Sequence, residues 1–527
     1  MTRNKPNIIF LVLDTHRADR LGAFGYPRAT SPNIDRFAAG ASVFEQAVSP
    51  GQWTIPAHAS MFTGEFPTTH MVVQSASALD PRFQTIAERL KREGYATVGF
   101  CNNPLVGVLN NGLRRGFDRF YNYGGAIPTL PQQKVTGFRS VLQQLWNRYT
   151  QLLRKISYPV QNWIAQSDRF FQLVLNPFIV PLWARFAHFK GDTGASLSDA
   201  EAYLIEHGGP GKKPQFVFIN LMGTHLPYSP PPEYVEKFAP IVRQDRSARE
   251  FVRSYNTQAV RWFIPMAEPF TETEYTALSQ MYDAEVAYQD AQLESLLRTL
   301  DEPYHRENTL VVITGDHGEM LGEHQIMGHG LGVFEELIRV PLILRYPGQE
   351  SGNRIAERVS TTFLYQTILD VLGKETYGTI YAPEVDISSL SLLPLARGLH
   401  LAPKTVFSEA YPPQHVIKTI LSFDEKLLVR FHSALTNWAA YEGGYKLQRI
   451  EELLDQVYDL SIDPLEFTFD EDPGRLGDLR RKLDDFIARM ASRRPNDLTG
   501  TPAGLADSVQ IEDDKLAQRL RGLGYLD

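Results

Sequence analysis

The chain has 527 residues, a length that favours one large domain plus a smaller one. Its composition, 43% hydrophobic and 22% charged, is typical of a soluble globular protein. Its formal net charge of −8 excludes the broad basic surface used in nucleic-acid binding, so we expect no nucleic-acid partner. A single cysteine, Cys101, excludes an intrachain disulfide and a zinc site built from cysteines.

The first predicted element is a buried strand over residues 8–13, because this run is apolar throughout. The run is too short for a secretion signal with its cleavage site, so we expect a cytoplasmic protein. The strand ends at Asp14, which in a parallel sheet lies at the edge where ligands bind. Asp14 is therefore a candidate functional residue, although an acid at such a strand end is also a common structural feature.

After a capped helix start at residues 31–38, the stretch 51–64 predicts a loop that turns sharply into a helix. Pro56 suits the first helical turn, which makes Thr54 an N-cap candidate with its hydroxyl beside unpaired backbone N–H groups. The start of a helix carries partial positive charge and attracts anions. The Thr54 hydroxyl is thus either an ordinary cap or a nucleophile that faces an anionic substrate.

Two more strand ends carry polar candidates. Residues 83–93 predict a helix, and residues 95–101 predict a buried strand that is followed by Asn103. Another buried strand, residues 215–221, runs into a proline-rich loop that contains His225. Both side chains are candidates for substrate contact; the alternatives are a turn former before a proline for Asn103 and loop packing for His225.

Between these strands, residues 124–191 form an insert in which aromatic residues are interleaved with arginines and lysines. Prolines and polar residues within it argue against a membrane-spanning helix. Two interpretations stay open. The insert forms helices that cover the active-site face, or residues 138–190 form an interfacial amphipathic segment that makes peripheral contact with lipid.

A long helix is predicted over residues 274–300, and we expect its acids Asp283, Glu285 and Asp290 to form a solvated face or packing contacts. The chain then re-enters the predicted sheet. Residues 340–344 predict a further strand.

The strand over residues 309–314 ends in the adjacent pair Asp316 and His317, with His324 and His329 in the loop beyond. An acid followed directly by a histidine at a strand end is unusual for purely structural reasons, so the pair is a candidate for metal ligation. His324 and His329 are candidates for substrate contact, and for His324 a surface histidine is the alternative.

The C-terminal part of the chain has a different pattern of predicted secondary structure. After a helix over residues 361–372, the alternation of strands and helices weakens near residue 402. A smaller antiparallel sheet and a covering helix are expected there, with strands at 419–423, 425–430, 444–447 and 456–460 and a helix at 475–490. We therefore predict an α/β fold with a large, mostly parallel central sheet sandwiched by helices in residues 1–401, and a C-terminal subdomain in residues 402–527.

In such a fold, polar groups at strand ends converge on one edge of the sheet. Asp14, Asp316 and His317 are suitable ligands for one divalent cation, because carboxylates suit Mg, Ca or Mn and imidazole suits Mn or Zn. A cation that touches the Thr54 hydroxyl would lower the pKa of that hydroxyl and reduce repulsion of an anionic substrate. Thr54 is therefore both the candidate nucleophile and a candidate metal contact.

Taken together, the motifs resemble the sulfatase family of the alkaline-phosphatase superfamily over about residues 5–123 and 192–470. The stretches that carry the resemblance are 7–14, 31–38, 53–67, 115–118, 216–228, 314–319, 334–347, 444–447 and 460–466. The resemblance implies a large α/β domain, a smaller C-terminal sheet, one divalent metal beside the nucleophile, and a small anionic ester as the substrate.

The nucleophile position departs from the family pattern. Sulfatases carry Cys or Ser in a Cys/Ser-x-Pro-x-Arg motif and oxidise that residue to formylglycine, whereas this chain has Thr54 and His58 at the two ends of the stretch. Threonine cannot yield the aldehyde, and a threonine sulfate lacks the exit route of a formylglycine hydrate. Water can clear a threonine phosphate, so the sequence favours phosphoryl over sulfuryl transfer. His58 is a candidate contact of Thr54 or of the substrate.

The metal set departs as well. Only one acid follows the first strand, and the set Asp14, Thr54, Asp316 and His317 is similar to that of phosphonate monoester hydrolases and lipoteichoic acid synthases. This similarity favours Mn, with Ca also favoured over Mg and Zn. His329 stands where the family usually has a lysine. Fewer fixed cations favour a substrate with less charge, such as a phosphodiester or a monoester monoanion.

We therefore predict a metal-dependent hydrolase of phosphate, phosphonate or sulfate esters that uses Thr54, with a phosphodiester-type substrate favoured. His225 and His329 are expected to donate hydrogen bonds to substrate oxygens or a proton to the leaving group. Three alternatives stay open: a sulfuric ester hydrolase that acts without formylglycine, a transferase that passes a phosphoryl-alkyl group to an alcohol, and a non-catalytic lipid-interface protein. The sequence also leaves an oligomer open.

Overall fold

The computed structural model of the chain describes residues 5–125, 128–131, 190–377, 385–387, 389–402, 404–468 and 473–495. The insert predicted at residues 124–191, and the lipid contact predicted for residues 138–190, lie almost entirely outside these ranges. The division of the chain near residue 401 stays a prediction. Within the described ranges, no helix combines the length and the apolar character needed to cross a membrane.

The described residues form a central sheet of eight strands and several smaller sheets. The strands are β1 (Asn7–Leu13), β2 (Ser42–Phe44), β3 (Ala47–Val48), β4 (Ala96–Cys101), β5 (Arg119–Asn122), β6 (Gln215–Leu221), β7 (Thr309–Gly315), β8 (Met320–Leu321), β9 (Met327–Gly328), β10 (Arg339–Val340), β11 (Leu342–Arg345), β12 (Asn353–Ile355), β13 (Val359–Ser360), β14 (Thr376–Tyr377), β15 (Val385–Asp386), β16 (Val406–Ala410), β17 (Asn437–Glu442), β18 (Tyr445–Ile450) and β19 (Leu454–Asp459).

The central sheet has the strand order β12-β2-β11-β7-β1-β6-β4-β5. Strand β11 runs antiparallel to both of its neighbours, and the other neighbouring pairs are parallel. Helices cover both faces, as the two hydrophobic clusters on either side of the sheet show. The prediction of an α/β fold with a large, mostly parallel sheet is confirmed.

Strand β1 lies in the middle of the sheet and is buried on both faces. Its alternate residues enter different cores: Ile9, Leu11 and Leu13 pack on one side, and the residues between them pack on the other. The parallel register pairs Leu13 with Gly315 of β7 and with Leu221 of β6. The residues that follow these strands therefore emerge at one edge of the sheet.

The helices connect and cover these strands. They are α1 (Pro32–Ala38), α2 (Thr54–Thr63), α3 (Pro67–His70), α4 (Ile86–Arg92), α5 (Pro104–Gly107), α6 (Thr193–His207), α7 (Pro232–Phe238), α8 (Pro240–Gln244), α9 (Arg246–Thr257), α10 (Glu272–Leu300), α11 (Pro303–Asn308), α12 (Glu335–Ile338), α13 (Leu364–Val371), α14 (Leu393–Ala396), α15 (Gln414–Phe423), α16 (Glu425–Arg430) and α17 (Pro473–Ser492). Short 3-10 segments lie at Ala18–Arg20, Gly22–Phe24, Ala259–Trp262, Glu323–Gln325 and Thr361–Phe363.

The smaller C-terminal sheet is antiparallel, with β16, β17, β18 and β19 paired in chain order. Helix α17 covers one face of this sheet. Its residues Leu479, Leu483 and Phe486 share a hydrophobic cluster with Trp438 and Leu447 of the strands. The expected combination of a small antiparallel sheet with a covering helix is confirmed.

The strands predicted at residues 419–423 and 425–430 are wrong, because both segments are helical and form α15 and α16. The buried residues of α15 include Val416, Ile417 and Ile420, which recur at helical spacing along one face. A short run of β-branched and aliphatic residues fits a strand equally well when it is considered without its flanks.

The acids of α10 do not form a solvated face. Asp283, Glu285 and Asp290 are each 1–3% exposed. Asp283 binds Arg20, and Glu285 binds Lys190 at 2.8 Å. The second half of the expectation, packing contacts, is therefore the correct one, and the helix connects distant parts of the chain through buried polar pairs.

Candidate active site

The candidate site lies at the edge of the sheet where β1 and β7 end side by side. Asp14 follows β1, and Asp316 and His317 follow β7. All three side chains are fully buried, and one ligand atom from each lies within 4.8 Å of the others. The structure thus brings together the three residues that the sequence predicts as metal ligands.

Each carboxylate in this group has one oxygen bound and one oxygen without a hydrogen-bond partner among the described residues. Asp14 Oδ2 accepts from the Asn103 amide, and Asp316 Oδ1 accepts from the backbone N–H groups of Thr15 and His317. The unpartnered atoms are Asp14 Oδ1 and Asp316 Oδ2. Two buried carboxylate oxygens that lack donors fit a divalent cation.

The imidazole of His317 completes this donor set. Its Nδ1 atom lies 2.9 Å from the carbonyl oxygen of Gly318, which only accepts, so Nδ1 carries the proton. Nε2 therefore presents a lone pair 3.4 Å from Asp316 Oδ2 and 3.9 Å from Asp14 Oδ1. A backbone acceptor that orients a ligand histidine in this way is common at metal sites.

The electrostatics of the group also favour a cation. Burial raises the pKa of Asp14 to about 6, although the Asn103 hydrogen bond lowers it. Burial, together with the negative charge of Asp14, raises the pKa of Asp316 well above its ordinary value. Without positive charge between them, the two carboxylates cannot both stay ionised at low cost.

Helix α2 begins at Thr54, one residue earlier than the prediction of Thr54 as its N-cap implies. The N-cap is Trp53, so the interpretation of Thr54 as the cap is wrong. The Thr54 side chain is buried, and its Oγ1 atom lies 3.3 Å from His317 Nε2 and 3.4 Å from Asn103 Nδ2. The hydroxyl thus lies next to the candidate metal ligands, at the positive end of a helix.

Asn103 connects the nucleophile candidate with the metal ligands. Its Nδ2 atom donates to Asp14 Oδ2 at 2.5 Å and also faces Thr54 Oγ1. Its Oδ1 atom accepts the backbone N–H of Leu105 at 2.8 Å and caps α5. Both sequence interpretations therefore describe the same side chain, which caps a turn and contacts the site.

His58 packs behind the site. Its Nδ1 atom donates to the Thr54 carbonyl oxygen at 2.9 Å and lies 3.5 Å from Asp316 Oδ2, while Nε2 lies 3.4 Å from the Asn220 amide. Burial lowers the pKa of His58 to about 4, so the ring is neutral near pH 7. Through these contacts, His58 holds the backbone of Thr54 in place.

His225 and His329 lie together on the open side of the group. Their ring centroids are 5.1 Å apart, and the His329 ring lies 4.5 Å from that of His317. His329 Nδ1 binds Glu319 Oε1 at 3.1 Å. Burial lowers the pKa of His329, but the Glu319 carboxylate outweighs this effect and raises it overall. Burial lowers the pKa of His225 to about 3.

The structure does not bring His324 into this group. The His324 ring stacks between Phe334 and Phe467, with centroid distances of 4.2 Å and 4.9 Å. Its nearest candidate ligand partners are Glu336 and Glu466.

Three residues that contact the site are missing from the sequence predictions. Glu319 is fully buried beneath His329, and Asn220 accepts the backbone N–H of Asn103 at 3.1 Å. The Thr224 hydroxyl donates to the Asp14 carbonyl oxygen at 2.7 Å. Asn220 interrupts an apolar strand, and this interruption is the one signal that marks it in the sequence.

Comparison with known proteins agrees with this geometry. A model of the sulfatase family matches residues 6–374, well over half of the chain. The ulvan-active sulfatase of Formosa agariphila is 25% identical over 371 residues, which are 69% of this chain and 61% of that protein. Arylsulfatase K of Homo sapiens is 29% identical over 481 residues, which are 88% of this chain and 78% of that protein.

A solved structure shows the same fold over nearly the whole chain. The phosphonate monoester hydrolase of Agrobacterium radiobacter has a TM-score of 0.63 and 21% identity, and covers 94% of this chain and 97% of its own. The match of the family model over well over half of the chain shows that the chain belongs to the sulfatase family.

Proposed function

We propose that this chain is a metal-dependent hydrolase that cleaves phosphate or phosphonate esters with Thr54 as the nucleophile, with a phosphodiester-type substrate favoured. The observation that carries the proposal is the position of Thr54 Oγ1, buried at the start of α2 and 3.3 Å from His317 Nε2. A threonine that only filled space would not need its hydroxyl beside a candidate ligand histidine and the amide that binds Asp14.

Asp14, Asp316 and His317 would hold the cation, and Mn or Ca suits this donor set. When bound, a divalent cation supplies the charge that lowers the pKa of the Thr54 hydroxyl and offsets the charge of the substrate. Asn103 fixes one oxygen of Asp14 and faces Thr54 Oγ1, so it holds these two groups in place relative to each other.

In the first step, Thr54 Oγ1, which has released its proton to solvent, attacks phosphorus and the bond from phosphorus to the leaving oxygen breaks, which gives a phosphorylated threonine. The leaving oxygen takes a proton from His329 Nε2, because Glu319 holds Nδ1 and favours the charged ring. In the second step, water attacks phosphorus, the bond to Thr54 breaks and leaves the threonine oxygen deprotonated as before, and His329 Nε2 accepts the proton of the water. The ring returns to its starting state.

His225 has the opposite hydrogen-bond character. Its Nδ1 atom lies 2.7 Å from the Leu226 carbonyl oxygen and donates to it, so the neutral ring offers Nε2 as an acceptor. An acceptor beside His329 suits a protonated oxygen of the substrate or the attacking water. We therefore assign His225 to substrate contact.

Sulfate ester hydrolysis without formylglycine is the second candidate function. The similarity to the ulvan-active sulfatase and to arylsulfatase K favours it. Transfer to an alcohol shares the first step, so product analysis with excess acceptor alcohol separates it from hydrolysis. The cytoplasmic location and the peripheral lipid contact stay predictions, which cell fractionation and liposome sedimentation test.

The test compares Thr54→Ala and Thr54→Ser with the wild type under saturating Mn²⁺. The substrates are matched p-nitrophenyl esters: a phosphodiester, a phosphonate monoester, a phosphate monoester and a sulfate. Thr63→Ala is the matched control, because Thr63 is a buried threonine of the same helix whose hydroxyl donates to the Ala59 carbonyl oxygen.

We expect Thr54→Ala to lose about 10³-fold or more in kcat, and Thr54→Ser to keep substantial activity, because serine supplies the same oxygen. Thr63→Ala is expected to keep wild-type kcat. Full metal-dependent turnover by Thr54→Ala contradicts the nucleophile assignment. A rate on the sulfate that exceeds the rates on all three phosphorus esters favours the second candidate.

A further inference from the structure

A second group of metal-binding side chains lies apart from the active site. Ligand atoms of His324, Glu336 and Glu466 lie within 4.8 Å of one another. They come from the loop between β8 and β9, from α12, and from the segment after β19. The group therefore joins the large domain to the C-terminal sheet region.

The backbone and two aromatic rings fix His324 in place. Gly322 and His324 both adopt positive φ, 116° and 53°, which turns the loop sharply. The ring is stacked between Phe334 and Phe467 and hydrogen-bonds to the backbone of Leu465. Its Nε2 atom is buried and has no hydrogen-bond partner among the described residues. A neutral ring held in this way offers a lone pair in a defined direction.

The buried carboxylate of Glu336 is the feature that points to a bound ligand. The side chain is only 6% exposed, and within the described part of the chain neither carboxylate oxygen has a hydrogen-bond partner. The guanidinium of Arg17 acts electrostatically on Glu336, but it binds Asp19 and Glu323, each at 2.7 Å. A buried carboxylate without donors is unfavourable unless a cation or a proton neutralises it.

Glu466 presents its carboxylate from the other side. It is 3% exposed, and its Oε2 atom accepts the backbone N–H of Glu335 at 2.8 Å. Oε1 contacts the Lys446 ammonium. A carboxylate oxygen has two lone pairs, so this contact leaves room for a second electrophile at Oε1. Lys446 also donates to the Val333 carbonyl oxygen, which holds the ammonium to one side.

We propose that His324, Glu336 and Glu466 bind a second divalent cation, a transition metal such as Zn²⁺ or Mn²⁺, with water completing its coordination. One imidazole nitrogen and two carboxylates are ligands that both Zn²⁺ and Mn²⁺ accept. The cation is structural. It ties the loop that leads to His329 onto the C-terminal sheet region, and so holds one wall of the active site.

The experiment measures bound metal in the purified full-length chain after loading with Zn²⁺ and removal of free metal. The variants are Glu336→Gln, which keeps shape but loses charge, and Asp316→Asn, which weakens the active-site group. Glu335→Gln is the matched control, because Glu335 is the neighbouring acid and is not one of the three ligands. Metal content by mass spectrometry and the shift of Tm on metal addition are the readouts.

We expect about two equivalents in the wild type and in Glu335→Gln, and about one equivalent in Glu336→Gln. Glu336→Gln is also expected to lose part of the Tm shift that Zn²⁺ produces in the wild type. One equivalent in the wild type, or two in Glu336→Gln, overturns the proposal. If Glu336→Gln does not fold, Asp316→Asn decides: one remaining equivalent that His324→Ala removes supports the proposal, and a metal-free Asp316→Asn overturns it.

Discussion

Two different replacements of Asn103 distinguish its hydrogen bond to Asp14 from its role as a helix cap. The Nδ2 atom donates to Asp14 at 2.5 Å, and the Oδ1 atom caps α5 through Leu105. Asn103→Ser keeps a cap, because serine and asparagine are comparable N-cap residues, but its shorter side chain lacks the amide donor. Asn103→Ala removes both contacts. Comparing the two variants therefore isolates the bond to Asp14.

The structure sets the size of the expected effect. A hydrogen bond to a charged acceptor contributes about 1.5–3 kcal/mol, and Asn103 is 1% exposed, so water does not replace the lost donor. If the loss of this bond raises the activation barrier by the same energy, because Asp14 and Thr54 are no longer held in place, kcat/KM falls about 10- to 150-fold in both variants. Asn103→Ala is expected to lose about a further 1 kcal/mol of folding stability through the missing cap.

The assay measures kcat/KM on the aryl phosphodiester, the Kd for Mn²⁺ and the Tm of each variant. We expect Asn103→Ser to have a Tm near that of the wild type and a much lower kcat/KM. If Asn103→Ser keeps kcat/KM within about twofold of wild type while Asn103→Ala loses stability, the residue acts only as a cap. The assignment to the active site is then refuted.

Three further predictions concern metal, stability and the proton donor. Chelation with EDTA should lower Tm, because the buried carboxylates of Asp14 and Asp316 then repel each other. Adding Mn²⁺ at about 100 times Kd should restore roughly 2.7 kcal/mol of folding stability. An Asp316→Asn variant whose Tm responds equally to EDTA and Mn²⁺ contradicts this prediction. Burial raises the pKa of Glu409 from 4.5 to about 8, so folding takes up a proton and wild-type stability falls as the pH rises between these values. Glu409→Gln cannot ionise, so its Tm advantage over wild type should grow from about pH 5 to pH 8, and a pH-independent difference is the contrary result. His329→Ala should lose about 10²-fold in kcat and His329→Lys should lose less, because lysine restores a cation; equal rates for His329→Ala and wild type refute the donor role.

The strands that build the site are predictable from the sequence because they are buried on both faces. The continuous apolar runs of β1, β6 and β7 need no partner to be recognised, and the acids and histidines that follow them are visible at once. The convergence of Asp14 with Asp316 then follows from parallel strands that share an edge.

Other features depend on partners far away in the chain. The burial of Asp283 on α10 follows from Arg20, more than 250 residues earlier, and no local pattern signals that pairing. Glu319 supports His329 from the turn after the candidate metal ligands, where an exposed acid would give the same sequence pattern. The distance from Thr54 to His317 depends on how α2 docks against the sheet, which no local pattern determines.

For helices α15 and α16, the pattern of hydrophobic residues alone does not distinguish a helix from a strand. Each is short, and its aliphatic residues satisfy both strand and helix patterns until the neighbouring turns are known. Helix α15 is settled by its packing, because Val416, Ile417 and Ile420 enter the same hydrophobic cluster as Leu337 of α12. Tertiary packing therefore overrides the local strand propensity of the segment.

The stereochemical course at phosphorus tests the central claim most directly. Hydrolysis of a chiral phosphorothioate diester in isotopically labelled water reveals whether one displacement or two occurs. Two successive in-line displacements, first by Thr54 and then by water, predict net retention of configuration. Net inversion would show that water attacks the substrate directly and would contradict the account of Thr54 as the nucleophile.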